Sequence, residues 1–443
     1  MTARESALLI LKRILYDNAY ANVALRTQLA RQPLPPRDRG LCTELVYGVL
    51  RYLNRLEYIL KKLSRRPLAS MDWEVVVAVY LALYQMIYLD RIPASAAVNE
   101  SVQLVKKYRH IGSAKFTNAI LRNYLRRAKQ LSIPTVEENQ SAHLALTYGI
   151  PQWMVEMFGA QWGPERALET FQEWTSPSPN YLRINTLRKE KHELLTEWED
   201  EHIAIHSTAV PEGVEVTDGD VTRLEHWLAA GEIYWQDVSS MMVAHAVDAQ
   251  VGEKVLDLCA APGGKSTHIA ALSKNQAEIL AADIHPHKVQ LIEENAARLG
   301  ATSVRAVERD ATILAPSEVN RYDRVLTDAP CSGLGVIGRR PDVKWRRTKE
   351  SLSQFPALQS AILDCAAAYV REGGHLVYST CTLNRDENEA VVENFLARHS
   401  EYRLRAFSLP TIGRVERGYL TIWPAEYRSD GFFIAVMERE VRR

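Results

Sequence analysis

The chain has 443 residues, 47% hydrophobic and 24% charged, and its 54 Lys and Arg are matched by 54 Asp and Glu. That is an ordinary globular balance in a chain too long for one typical domain, and no apolar run approaches a membrane helix. Five cysteines without a C-x-x-C pair, and twelve histidines without ligand spacing, argue against a disulfide framework and against a metal site.

The charge is unevenly spread. Residues 1–140 hold 22 Lys and Arg against 11 Asp and Glu, and the remainder holds 32 against 43. A basic front part fits RNA or DNA as partner, although a solvated helix surface gives the same count. Met1-Thr2-Ala3-Arg4-Glu5-Ser6 lacks the architecture of a secretory signal, so a cytoplasmic protein with reduced thiols is expected.

Residues 4–130 read as all helix, because apolar residues recur at helical spacing and prolines at 33, 35, 36, 67 and 93 punctuate the runs. Residues 73–89 are apolar nearly all round, which suits the central helix of a bundle. The pattern loosens over 130–151, expected as a linker. A small α+β module is expected over 151–235, with strands at 181–185 and 214–216 and a helix at 189–199. From 236 to 443 strands alternate with helices. The strands are 255–258, 279–284, 304–307, 322–328 and 375–378, and the helices include 286–299 and 351–371. This alternation predicts a doubly wound, mostly parallel sheet of Rossmann-like type. Segments 418–423 and 431–438 read as an antiparallel hairpin added to it.

The first strand of that sheet feeds Asp257-Leu258-Cys259-Ala260-Ala261-Pro262-Gly263-Gly264-Lys265-Ser266, which opens a helix. The paired glycines allow close backbone approach to a ligand. Neither a Walker A loop nor a G-x-G-x-x-G fingerprint fits the spacing. Asp283 closes the second strand and suits a carboxylate on ribose hydroxyls, and Asp310 follows the third, placed for an adenine edge. Without a pyrophosphate loop, S-adenosylmethionine fits better than a dinucleotide. The same acids could instead cap helices.

Two thiols stand at strand ends, Cys331 in Asp-Ala-Pro-Cys-Ser-Gly and Cys381 in Ser-Thr-Cys-Thr. Beside a nucleotide-like cofactor they point to covalent chemistry on a base. Carbon 5 of cytosine is a poor nucleophile. A thiolate added to carbon 6 turns the ring into an enamine that can take a methyl group, after which the carbon-5 proton and the thiolate leave.

These three motifs, with Gly338-Arg339-Arg340-Pro341-Asp342-Val343-Lys344-Trp345 and Asp430-Gly431-Phe432-Phe433, resemble those of the RNA cytosine-5 methyltransferases. The resemblance spans the catalytic half. It implies that Cys381 is the nucleophile and that Cys331 assists product release. It also implies that Cys259, Ala260, Ala261, Pro262, Gly263, Gly264, Lys265, Asp283, Asp310 and Asp328 contact or line the S-adenosylmethionine pocket, with Asp328 also facing the cytosine amino group. Residues 92–102 and 115–122 look like the NusB helical bundle. Its fusion to this catalytic half is similar to the bacterial small-subunit (16S) ribosomal RNA methyltransferases of the Sun and Fmu type. A transfer-RNA methyltransferase of the same chemistry and a non-catalytic NusB-like RNA-binding factor are the alternatives.

The resemblance implies small-subunit ribosomal RNA as partner, free or in an early assembly particle. No membrane partner or oligomer is indicated. The basic cluster of Arg339, Arg340, Lys344, Arg346 and Arg347 is expected on RNA phosphates, with a solvated loop as the alternative. Trp345 is expected to pack locally, and Cys42 and Cys365 to be core thiols. Asp257 is expected to be structural.

Overall fold

The computed structural model describes residues 1–217 and 221–441; residues 218–220 of the expected small module and the last two of the chain lie outside them. The chain forms two compact units. The first is Met1–Ser176 together with Ile337–Arg346, and the second is Pro177–Val336 together with the chain from Arg347 onward.

The first unit is helical. Its central helix, Trp73–Tyr88, is apolar around most of its circumference and buries every residue from Glu74 to Gln85. Gln85 is satisfied inside, donating to the Leu81 carbonyl (2.7 Å) and accepting from Arg4 Nε (2.7 Å). The helices Ala3–Leu15, Pro36–Arg51, Ala94–Tyr108 and Ile111–Arg127 join it in one core. Gly48 lets Pro36–Arg51 approach closely, since a Cβ there would collide with the Tyr84 ring. The stretch expected as a linker instead holds the helix Val136–Tyr148, begun by a Thr135–Glu138 capping box and ended by left-handed Gly149. The helices Gln152–Trp162 and Pro164–Thr175 follow in the same unit.

The second unit begins with a four-stranded antiparallel sheet: β1 (Asn180–Ile184), β2 (Ile205–Ser207), β3 (Gly213–Val216) and β4 (Ile233–Trp235), in the order β2-β3-β1-β4. Trp198 and Trp227 meet edge to face in its core, 5.8 Å apart. The large sheet contains β5 (Lys254–Asp257), β6 (Glu278–Asp283), β7 (Val304–Glu308), β8 (Tyr322–Asp328) and β9 (Val370–Thr380). Beyond these, β10 (Tyr402–Leu404) is followed by a small pair, β11 (Phe407–Leu409) and β12 (Gly413–Val415), then β13 (Tyr419–Ile422) and β14 (Phe432–Arg439). The order is β10-β14-β9-β8-β5-β6-β7, with β13 also on β14. β5 to β9 are mutually parallel, and β14 is antiparallel to β9 and to β13. Helices cover the parallel strands, so β5, β6, β8 and β9 read as apolar runs rather than alternating ones. The strand order reverses between β5 and β8, which places a ligand crevice beyond their C-terminal ends. The expected class is therefore found: a helical front, a small α+β module and a doubly wound sheet closed by a hairpin.

Candidate active site

The loop after β5 is fixed from both neighbours. Leu258 N–H donates to the Leu326 carbonyl (3.0 Å) and Ala260 N–H to the Ala282 carbonyl (2.8 Å). Gly263 takes φ 96°, where an L side chain is strained, and a Cβ would press on Ile292 at 3.3 Å. The helix Gly264–Leu272 starts with no side-chain cap, leaving leading N–H groups for a ligand. Asp257 is fully buried and accepts from Ser266 Oγ (2.6 Å). Burial pushes its carboxyl up to about 7, opposed by the Ser266 bond and reinforced by Asp328. It therefore braces the loop from beneath.

Asp283 ends β6, nearly buried, with Lys288 Nζ 3.6 Å away. Asp310 follows β7 and is held below the usual carboxylate range by the Thr312 hydroxyl (2.6 Å) and N–H (2.9 Å). Cys259 is pushed well up by burial and by Asp257, Asp328 and Asp283, which leaves it a protonated, unreactive thiol.

The loops after β8 and β9 bring the two other thiols together: Cys331 Sγ lies 3.4 Å from Cys381 Sγ, and both are half-buried. They are unequal. Hydrogen bonding to Cys381, burial and the nearby Glu387 and Asp328 push Cys331 well above the usual thiol range. The raised position favours the protonated form of Cys331. Next to them Lys265 Nζ pairs with Asp328 Oδ2 at 2.7 Å. Burial opposes the ammonium, but Asp328 outweighs it, and Lys265 lies above its ordinary range and close enough to interact with Cys381. Ser379 Oγ donates to the other Asp328 oxygen (2.8 Å), and the Phe432 ring lies 5.2 Å from Lys265 Nζ. A cation close to one thiol, with a second thiol in contact with it, is an arrangement that can serve a nucleophile and a proton donor.

Buried groups hold this pair in place. Glu387 accepts from Ser332 N–H (2.7 Å), Gln359 Nε2 (3.2 Å) and Asn384 Nδ2 (3.0 Å). Ser332 Oγ and Thr382 Oγ1 meet at 2.8 Å, one residue past each cysteine. Gly335 N–H donates to the Cys381 carbonyl (2.9 Å), and its carbonyl accepts from Gly431 N–H (2.9 Å). A Cβ on Gly335 would collide with the Gly431 carbonyl, so the Gly431-Phe432-Phe433 motif needs a glycine opposite it.

The structure thus brings Lys265, Asp328, Cys331 and Cys381 to one place, with Cys259, Asp283 and Asp310 on loops along the same strand ends. It corrects the expectation for part of the basic cluster. Lys344 is buried and donates to the Arg51 carbonyl at 2.9 Å. Trp345 Nε1 donates to the Leu50 carbonyl (2.6 Å), so it packs locally as expected. Together they satisfy carbonyls in the last turn of Pro36–Arg51, where a helix leaves acceptors open and favours a cation. Arg346 donates to Asn18 Oδ1 (2.8 Å) and to the Ala19 carbonyl, and stacks on Tyr20. Lys344 and Arg346 are therefore spent on the helical unit, not left for phosphate. Arg347 is likewise engaged, on the Ser332 carbonyl (2.8 Å). Arg340 is exposed.

Two features escaped the sequence. Arg183 of β1 is fully buried and donates to the Gly264 carbonyl (2.6 Å), Thr267 Oγ1 (3.0 Å) and Gln236 Oε1, clamping the helix that follows the loop after β5. Glu212, His245 and His268 also converge, their ligand atoms within 4.8 Å, although the histidines showed no metal spacing in the sequence. Burial and the Arg183 cation hold His268 down at about 3, so it is a neutral N–H donor to Glu212. With that guanidinium close by, the cluster reads as a carboxylate serving two imidazoles.

Residues 244–438 match the family described as 16S rRNA methyltransferase RsmB/F, residues 1–126 the NusB family, and residues 150–222 the ferredoxin-like domain of RsmF/B-like methyltransferases. A Synechocystis protein named probable ribosomal RNA small subunit methyltransferase B is 38% identical over 99% of this chain and 100% of its own. A Bacillus subtilis protein of the same name is 37% identical over 99% of each. The solved NSun6 from Pyrococcus horikoshii, with the S-adenosylmethionine analogue SFG, is 25% identical with a TM-score of 0.59, covering 66% of this chain and 99% of that one.

Proposed function

Because this chain belongs to the family of the ribosomal RNA small subunit methyltransferases B, we propose that it methylates carbon 5 of a cytosine in 16S ribosomal RNA through a covalent Cys381 adduct. S-adenosylmethionine is the methyl donor. Residues 259–265, Asp283, Asp310 and Asp328 would hold it, and bound there it supplies an electrophilic methyl group. The uncapped start of Gly264–Leu272 and the left-handed Gly263 support this reading, since both leave backbone open toward a ligand.

Cys381 attacks carbon 6 of the flipped-out base as a thiolate, with the Lys265 ammonium favouring its charge. Carbon 5 gains the methyl group; water then takes the carbon-5 proton as the carbon–sulfur bond breaks and Cys381 leaves as a thiolate. Asp328, fixed by Lys265 and Ser379, accepts the cytosine amino group. Cys331, whose thiol is pushed up, donates a hydrogen bond that stabilises the departing Cys381 thiolate. The observation that carries the proposal is the 3.4 Å contact between two thiols at neighbouring strand ends, with the Lys265–Asp328 pair next to them. Arg339 and Arg340 are proposed phosphate contacts, and the compartment is proposed to be the cytoplasm, where both thiols stay reduced.

Incubation with S-adenosylmethionine and small-subunit ribosomal RNA tests the roles. Cys331→Ala should accumulate a denaturation-resistant protein–RNA adduct, while Cys381→Ala forms none and transfers no methyl group. An adduct that persists in Cys381→Ala and is lost in Cys331→Ala would reverse the assignment.

A further inference from the structure

Residues 94–130 hold eight Lys and Arg and a single acid, Glu100. They form the adjacent helices Ala94–Tyr108 and Ile111–Arg127. Acids from other helices neutralise one end of this pair: Lys107 meets Glu5, and Arg109 meets Asp72 and Glu74. The other end, where Arg122, Arg126, Arg127 and Lys129 lie, is left uncompensated, and so are Lys106 and Lys115 nearer the first end. Among the described residues Lys106, Lys115, Arg122, Arg126, Arg127 and Lys129 make no ion pair, and Arg122 bonds only to Asn118 Oδ1 (3.2 Å).

A groove of about 620 Å³ runs between the two helices on that side. Asn118, Arg122 and Arg126 follow one another at i, i+4 and i+8 along one wall, and Ser95 and Asn99 at i and i+4 along the other. On a helix each such step is about 6 Å, close to the spacing of successive phosphates in an extended strand. No carboxylate lines the groove, and half-exposed Leu125 gives it an apolar patch on which a base or ribose can rest.

We propose that this groove binds a strand of the RNA substrate, with the Arg122 and Arg126 guanidiniums on its phosphates. The choice of RNA as the anion rests on the methyltransferase reading above. The charge argument favours a polyanion. The row of amide and hydroxyl groups beside the guanidiniums suits phosphate and ribose oxygens. The groove is a positioning surface and takes no part in methyl transfer.

The test measures binding of the full chain to a small-subunit ribosomal RNA transcript across a salt series, with methyl transfer in parallel. Arg122→Ala/Arg126→Ala should weaken binding about tenfold and reduce the log–log salt slope by about 1.4, at about 0.7 per phosphate contact on a single strand. At saturating RNA the double variant should keep its kcat and show only a raised KM. Arg122→Lys/Arg126→Lys should keep most of the slope. Unchanged affinity and slope in the alanine variant overturn the proposal, as does poly-glutamate displacing the RNA from the parent but not from the variant, which would make the groove a site for an acidic protein. If the parent binds RNA through these arginines but transfers no methyl group, the activity assignment fails and the groove stands. If it methylates with binding indifferent to both arginines, the reverse holds.

Discussion

Lys344 and Arg346 face helix ends and backbone carbonyls of the helical unit, whereas Arg122 and Arg126 line a groove and meet no acid. In sequence the two groups look alike, each a cluster of cations near a motif. The difference is what the fold leaves unsatisfied around them. The last turn of Pro36–Arg51 offers open carbonyls, and Lys344 is drawn in despite the burial that holds its ammonium far below the usual lysine range. The helix Ile111–Arg127 ends in cations that no acid among the described residues compensates. Charges turned inward should register in folding stability and its pH dependence, and charges left outward in the salt dependence of RNA binding.

The largest effect is expected for Arg183, the inward charge with the most partners. Arg183→Ala removes three charge-assisted hydrogen bonds, to Gln236, Gly264 and Thr267, and at about 1.5–3 kcal/mol for a hydrogen bond to a charged group it should cost about 3 kcal/mol or more. S-adenosylmethionine should also raise the melting temperature of the variant less, because the helix after the cofactor loop loses its clamp. Retained stability and an unchanged ligand shift would show that this guanidinium does not hold the loop. Lys344→Ala comes next, with a loss of about 1–3 kcal/mol from the uncapped helix end. Its RNA salt slope should match that of the parent. A slope reduced as in the Arg122/Arg126 variant would place Lys344 among the outward charges after all.

Much of the catalytic core was legible in the sequence because it is written locally. Tyr322–Asp328 and the strand before Cys381 are short apolar runs, and each ends at the motif it presents. The cofactor loop carries its own glycines. What the sequence hid is held by contacts between distant residues. Lys344 finds Arg51, Arg183 finds Gly264, and Glu387 gathers Ser332 and Gln359. None of these pairings has a periodicity or spacing to announce it. The missed helix Val136–Tyr148 is a different case: its Thr135–Glu138 capping box was present, but the polar run after it and Pro134 before it read as loop.

A smaller effect separates inward charges by pH. His268 is held at about 3 by burial and Arg183, against an ordinary 6.5. Between those values the unfolded chain binds the proton and the folded chain does not, so this residue's contribution is fully present above about 6.5 and is lost as pH falls toward 3. Asp257 acts oppositely: raised to about 7 from 3.8, it contributes most below 3.8 and loses that contribution as pH rises through 7. His268→Gln should therefore flatten the acid side of the stability profile by up to one proton. Chemical denaturation from pH 7 to pH 4 checks it, and an unchanged slope would mean that the imidazole is not held neutral.

The smallest effect tests the outward class itself. Arg403 is exposed like Arg122, but it lies within 3.2 Å of Glu438 and 3.5 Å of Glu440. Exposed pairs of this kind contribute about 0–1 kcal/mol, so Arg403→Ala should barely move the denaturation midpoint. The guanidinium is already compensated, so removing it should also leave the RNA salt slope unchanged. If Arg403→Ala lowered that slope as much as Arg122→Ala, RNA would be responding to bulk positive charge wherever it lies. If only the groove arginine matters, the deciding property is the absence of a carboxylate on the protein, and exposure alone does not make a cation a phosphate contact.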